Sequence, residues 1–193
     1  MLIDRGYQVL VSGDRELPDE IAGDFGGMLV DARRLGIDPY LFSLYSSFNA
    51  DIFIGENGGG LSLAEYNEAS PKLALNIWPF WGAIDGWVYY KQAFDGEGLP
   101  LEFSRMAGDL AFAYPEEGKF SIVQNSADEI SEAVKRFLEE VEKPGSSEID
   151  RELENLWPSY SFFGLADCHI SPAYVEKYRN SFPADKFDAV ENG

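Results

Sequence analysis

The sequence predicts an α/β fold, a parallel sheet flanked by helices. Three observations predict it. Residues 51–55 (DIFIG) form a continuous apolar run of the kind buried inside a parallel sheet; a glycine-rich turn, a short helical stretch over 61–69 and the next strand over 72–78 (KLALNIW) follow it. Ser126 with Glu129 three residues later spells a capping box at the head of an amphipathic helix over 127–143. The 193 residues are 45% hydrophobic and 25% charged, which is the balance of a chain that buries a core and not of a disordered one. The expectation is one Rossmann-like domain over residues 1–182 and a polar tail over 183–193.

Each element has its local reason. Residues 1–6 read as the last turn of a helix closed by Gly6, directly ahead of a β-type run at 7–12 (YQVLVS). A chain that opens on the end of a helix reads as the C-terminal part of a longer protein. Residues 14–27 are acidic and glycine-rich and read as loop, and 28–31 (MLVD) as a second short strand. Asp38-Pro39 starts a helix, since proline's missing N–H would be unpaired in the first turn anyway. In that helix Tyr40, Leu41, Leu44, Tyr45 and Phe48 form an apolar stripe. The strands at 51–55 and 72–78 are expected to lie in one parallel sheet with the strand at 7–12. Residues 79–115 read as aromatic and irregular, 120–124 (FSIVQ) as a strand, 148–156 as a short helix, and Ser171-Pro172 as the start of the last one.

Charge and composition exclude whole classes of function. The 15 Lys and Arg against 34 Asp and Glu give a net charge of −19. Such a field repels nucleic acid and anionic membranes, and its plain reading is solubility or life at high salt. A single cysteine (Cys168) and a single histidine (His169) leave no internal disulfide, no cysteine-based zinc cage and no His cluster, which suits a reducing cytoplasm. No apolar stretch approaches a membrane span, and no metal or other cofactor is expected.

Two segments could carry chemistry. The turn Gly55-Glu56-Asn57-Gly58-Gly59-Gly60, followed by Leu61-Ser62, sits between a buried-type strand and a helix. Ligands of open α/β sheets bind at the carboxyl ends of strands, and glycines there let backbone N–H groups approach an anion. Asn57, Gly58, Gly59, Gly60 and Ser62 are the candidate phosphate-side residues; the plain alternative is a βα turn that needs positive φ. The spacing matches neither the dinucleotide fingerprint nor the phosphate loop. The second segment runs over residues 77–91 and holds three of the four tryptophans. Trp78 and Trp81 could stack on a sugar or a base, and Lys91 could meet a phosphate; the plain alternative is packing under a loop. Asp95-Gly96-Glu97 is a weaker acidic pair of the metal–nucleotide type. Cys168 and His169 are adjacent, so in a strand their side chains would point to opposite faces.

Several of these segments, in this order, resemble a group of bacterial glycosyltransferases of the GT-B fold. The opening residues 2–9, the strand 49–55 with Gly58-Gly59, the strand 72–79 ending in Asn-x-x-Pro, the motif 99–103 (LPLEF) and the closing 170–177 (ISPAYVEK) carry the resemblance. It implies two Rossmann-like domains with the cleft between them. This chain would be the C-terminal, donor-side half, binding a nucleotide sugar without a structural metal. A separate N-terminal half would bring the glycan acceptor, and the chain alone is expected to be inactive. The group places an Arg near the end of the first strand, where this chain has Val11 and Ser12, with Arg15 three residues beyond Ser12. Two readings stand: a nucleotide-sugar-dependent glycosyltransferase half, acting in polysaccharide synthesis, or a non-catalytic carbohydrate-binding or interaction module on the same fold.

Overall fold

The computed structural model describes residues 1–13, 17–56, 58–78, 86–110, 113–115, 119–144 and 168–182. It is α/β, with small parallel sheets flanked by helices. The chain forms two compact units, Met1–Phe53 with Gly58–Ser70, and Ile54–Asn57 with Pro71–Gly193. The expected helix at 148–156 and the tail at 183–193 lie outside the described residues.

In unit 1, a 3-10 turn at Ile3–Arg5 closes on Gly6 at φ +89°, as the opening sequence predicts. Strands β1 (Val9–Val11) and β2 (Leu29–Asp31) pair in parallel, Val9 opposite Leu29 and Val11 opposite Asp31. The segment read as loop contains a short helix, α1 (Asp19–Asp24). The buried Asp31 carboxylate ties it down: it accepts the N–H of Leu17 (3.0 Å) and of Arg33 (3.0 Å). The Leu17 bond foremost holds that carboxyl below its usual range, against the opposing effect of burial. Helix α2 (Pro39–Asn49) starts where Asp38-Pro39 predicts, the Asp38 carboxylate accepting the Leu41 N–H at 2.9 Å. Helix α3 (Gly59–Ala64) packs on α2, and just beyond it the Asn67 amide donates to the Ser47 carbonyl at 3.1 Å.

Unit 2 holds the principal sheet, ordered β3 (Phe53–Glu56), β4 (Lys72–Ile77), β5 (Gly86–Tyr90), β8 (Cys168–Ile170), with Ile54 onward of β3 belonging to this unit. The pairs β4–β5 and β5–β8 are parallel. The first strand does not join this sheet as expected; it pairs with β2 in a separate one. The physical difference lies in burial. All six residues of β4 are buried, as a central strand requires, whereas β1 is half-buried throughout. A second correction concerns residues 79–115. This stretch contains β5, the short strand β6 (Gln92–Phe94) and helix α4 (Phe103–Ala107). β6 pairs antiparallel with β7 (Ser121–Val123).

Helices α5 (Ala127–Glu142) and α6 (Pro172–Lys177) pack together and against the sheet. Their buried faces supply Ala133, Phe137 and Leu138, and Ala173, Tyr174 and Val175. Tyr174 is central: its ring meets Tyr89 edge-on at 5.2 Å, and its phenol donates to Gln92 Oε1 at 3.1 Å. Burial pushes that phenol well above its ordinary range, so it remains a donor.

The predicted capping box is present, and it does more than cap. Glu129 accepts from the Ser126 N–H (2.8 Å) and hydroxyl (2.6 Å), from the Tyr178 phenol (2.6 Å) and from Lys177 Nζ (2.9 Å), so it clasps α6 to α5. Burial pushes its carboxyl up, but the Ser126 and Tyr178 hydroxyls, the Ser126 backbone and Lys177 outweigh it and hold it down at about 2, against an ordinary 4.5. A depressed carboxyl stabilises the fold above its unfolded value, and that contribution disappears as pH falls through the folded one. Unfolding at pH 5 and at pH 2 should therefore differ by roughly 2–3 kcal/mol from this group alone. Glu129→Gln, measured in parallel by urea unfolding, should remove that part of the acid sensitivity. An identical acid slope in the variant would show that the clasp contributes nothing.

Candidate functional site

At the carboxyl end of β4 the ladder slips. Ala74 pairs with Val88, but the next pair is Ile77 with Tyr90, so β4 spends three residues where β5 spends two. This is a β-bulge, and inside it Asn76 sits at φ +53°, a left-handed conformation that asparagine tolerates better than most side chains.

Its side chain is fixed on both sides. Asn76 N–H donates to Asn125 Oδ1 at 3.0 Å, and Asn125 N–H donates back to Asn76 Oδ1 at 2.9 Å. Asn125 Nδ2 then donates to the Tyr90 carbonyl at 3.0 Å. The remaining Asn76 group, Nδ2, donates to Glu56 Oε1 at 2.6 Å. Both asparagines are buried, while Glu56, the last residue of β3, is exposed. The bulge thus holds an exposed carboxylate in a set orientation at the carboxyl edge of the principal sheet. A carboxylate accepts hydrogen bonds and donates none, so what it would recognise is hydroxyl or amine donors. Lys91 stands at the same edge, its N–H donating to the Ile77 carbonyl at 3.1 Å, and its side chain makes no ion pair among the described residues.

The residues singled out from sequence are distributed as follows. Gly58, Gly59, Gly60 and Ser62 begin α3 in unit 1; Lys91 and Trp78 belong to unit 2; Asn57 and Trp81 lie outside the described residues. Gly58 is extended at φ 164°, and neither it nor Gly60 has the positive φ that a plain turn would demand. Ser62 is exposed and its N–H donates to the Gly58 carbonyl at 3.2 Å, inside the first turn of a helix only six residues long. Trp78 is buried. Its indole N–H donates to the Ala113 carbonyl (3.0 Å) and its ring leans on Phe120 at 5.5 Å, so it is packed as core and not presented as a stacking platform. The Asp95 carboxylate is turned onto its own loop, accepting the Glu97 and Leu99 N–H groups, both at 2.9 Å. Among the described residues no group of three or more His, Cys, Asp or Glu could hold a metal ion, and no helix is long and apolar enough to cross a membrane.

Comparison with protein-family models, curated proteins and solved structures finds no match.

Glu56, inside the glycine turn, and Asn76, the Asn of Asn-x-x-Pro, lie in quoted motifs without being named as site residues, and Asn125 lies in none. One signal was available: Asn76 is a polar residue after the apolar run Leu73–Leu75, two positions before Trp78-Pro79. The partnership with Asn125, 49 residues away, has no local signature.

Proposed function

We propose that the chain is the donor-side half of a GT-B-type glycosyltransferase, binding a nucleotide sugar at the carboxyl edge of the β3–β4–β5 sheet, with the acceptor brought by a separate half. The observation that carries the reading is the Asn76 bulge, which orients the exposed Glu56 carboxylate at the edge where α/β sheets take their ligands. The choice of a sugar nucleotide rests on the sequence resemblance. A sugar supplies the hydroxyl donors that a carboxylate accepts, and Lys91 supplies a cation for the diphosphate.

Titration calorimetry with a panel of nucleotide diphosphate sugars tests this. At least one member should bind, and Lys91→Ala should weaken it roughly ten- to a hundred-fold, the range of a charge-assisted hydrogen bond. Affinity should rise with modest salt, because screening relieves repulsion between an anion and a chain of net charge −19. No heat and no chemical-shift change at millimolar ligand would overturn the reading. One observation favours the second reading, an interaction module: unit 1 turns a large apolar helix face outward.

A further inference from the structure

Helix α2 buries Phe42 but leaves most of its large apolar side chains facing outward. Leu41, Tyr45 and Phe48, spaced i, i+4 and i+7 on one face, are 60%, 61% and 53% exposed, and Tyr40 beside them is 65% exposed. The inner side is mixed: Phe42 and Ser47 are buried, and Ser43, Leu44 and Ser46, whose hydroxyl donates to the Phe42 carbonyl at 2.8 Å, are half-buried. A surface helix normally keeps its larger apolar face inward, and here most of it faces out. At about 100 Å² of exposed area per large side chain, the stripe and Tyr40 amount to roughly 400 Å², the size of the largest apolar patch on a typical monomer, which is often a functional one.

The charges around the stripe narrow down its occupant. No residue of α2 from Pro39 to Asn49 is charged, in a chain of net charge −19. The two ends are bracketed by exposed carboxylates, Asp38 at the N-cap and Asp51 just past the C-terminus, about 20 Å apart along the helix direction. A second copy of the chain fits badly. Paired antiparallel, two such helices would bring Asp38 against Asp51; paired parallel, like residues would face each other. Either way carboxylates meet, and a contact of roughly 800 Å² in total is too small to override that. A helix with basic ends meets attraction at both.

We propose that the outward face of α2 docks an amphipathic helix of another protein, one with apolar residues at i, i+3 or i+4, and i+7 and a Lys or Arg at each end of that stripe. The proposal rests on the interaction reading of unit 1, and it is independent of sugar-nucleotide binding in unit 2, so the calorimetric result can fail without touching it. The buried area makes the contact transient, with the apolar stripe giving affinity and the end charges giving register.

The probe is a fluorescein-labelled synthetic 16-residue helical peptide carrying Leu at those positions and Lys at both ends, titrated with the full chain by anisotropy. A control peptide carries Glu at the ends. The Lys-ended peptide should bind, with the Glu-ended one weaker by about ten-fold or more and the difference shrinking at high salt. The double variant Leu41→Ser, Tyr45→Ser should weaken binding by about ten-fold or more with an unchanged melting temperature, since both side chains are exposed. Asp51→Asn, together with Asp38→Asn (which keeps an N-capping side chain), should remove the preference for basic ends without disturbing the helix. Absence of binding, equal binding of both peptides, or equal binding by the double-serine variant would overturn the proposal. So would a wild-type dimer in sedimentation velocity that the double-serine variant dissolves, because the occupant would then be a second copy.

Discussion

Gly86→Ala is expected to be among the most damaging single substitutions in the chain, although it adds only one methyl group. Gly86 opens β5 with φ +137°, a region in which L side chains are strained. A Cβ there would stand 2.6 Å from the Lys72 carbonyl oxygen and 2.9 Å from Lys72 Cβ. The obstacle is mostly backbone, and it belongs to β4, which is buried at every position, so no flexible side chain can swing away. Either β5 moves off β4 or its first pairing is lost. Overpacking of about 1–3 kcal/mol added to backbone strain of similar size gives roughly 2–6 kcal/mol. For a chain of this length that corresponds to a melting temperature lower by about 4–24 °C. Gly60→Ala is the matched control. Its Cβ would meet nothing within 4 Å and its φ is not positive, so alanine should be neutral or stabilise by up to about 1 kcal/mol. Similar melting temperatures for wild type and Gly86→Ala would mean that the β4–β5 contact is far more compliant than a buried sheet should be.

The same two strands show what was legible in the sequence. β4 is readable because its central residues Leu73–Leu75 and Ile77 are apolar, and the strand is buried throughout, Lys72 and Asn76 included. β5 is not. Its sequence, GWVYY, begins with a residue that depresses strand propensity, and the aromatic, glycine-dotted stretch around it carries no period. What makes it a strand is its place between β4 and β8, a tertiary fact. The helix starts were legible at Asp38-Pro39 and Ser126/Glu129, because capping is chemistry within four residues, and at Ser171-Pro172 through the proline in the first turn, since Ser171 makes no capping hydrogen bond. The direction in which α2 turns its stripe was not. Periodicity gives the existence of an apolar face, and only packing decides whether that face is buried; here Phe42 and Ser47 occupy the inner side, and Leu41, Tyr45 and Phe48 face out.

The candidate site was legible in the same uneven way. Lys91 was singled out as a cation in the aromatic segment, and the structure sets it just past the end of β5, a strand that the sequence did not show. The glycine turn drew attention through composition, yet Gly58 and Gly60 need no unusual φ. The strained residue is instead Asn76, whose conformation comes from a register slip that involves two strands at once. A signal of that kind exists only after the strands have paired.

Asn76 provides the second large effect and the sharpest separation of causes. Asn76→Val puts a β-branched side chain at φ +53° and deletes the amide. The buried Asn125 N–H then loses its acceptor and Glu56 loses its donor. A buried unsatisfied group costs about 1–3 kcal/mol and the left-handed conformation about 1–2 kcal/mol for such a residue, so the variant should lose roughly 2–5 kcal/mol. Asn76→Gly deletes the same hydrogen bonds but accepts the conformation, and it should lose only about 1–3 kcal/mol. The gap between the two, read from urea midpoints at constant slope, measures the backbone strain that asparagine absorbs. Equal losses would show that φ at this position carries no energy. Glu56→Gln completes the series. Glu56 is exposed, so its substitution should leave stability within about 0.5 kcal/mol. Under the donor-binding reading, Glu56→Gln and Asn76→Gly should both weaken the ligand, the first by removing the carboxylate and the second by releasing it from its orientation. Binding that survives Glu56→Gln at full strength would leave the bulge as a purely structural device that locks the end of β4 to the start of α5.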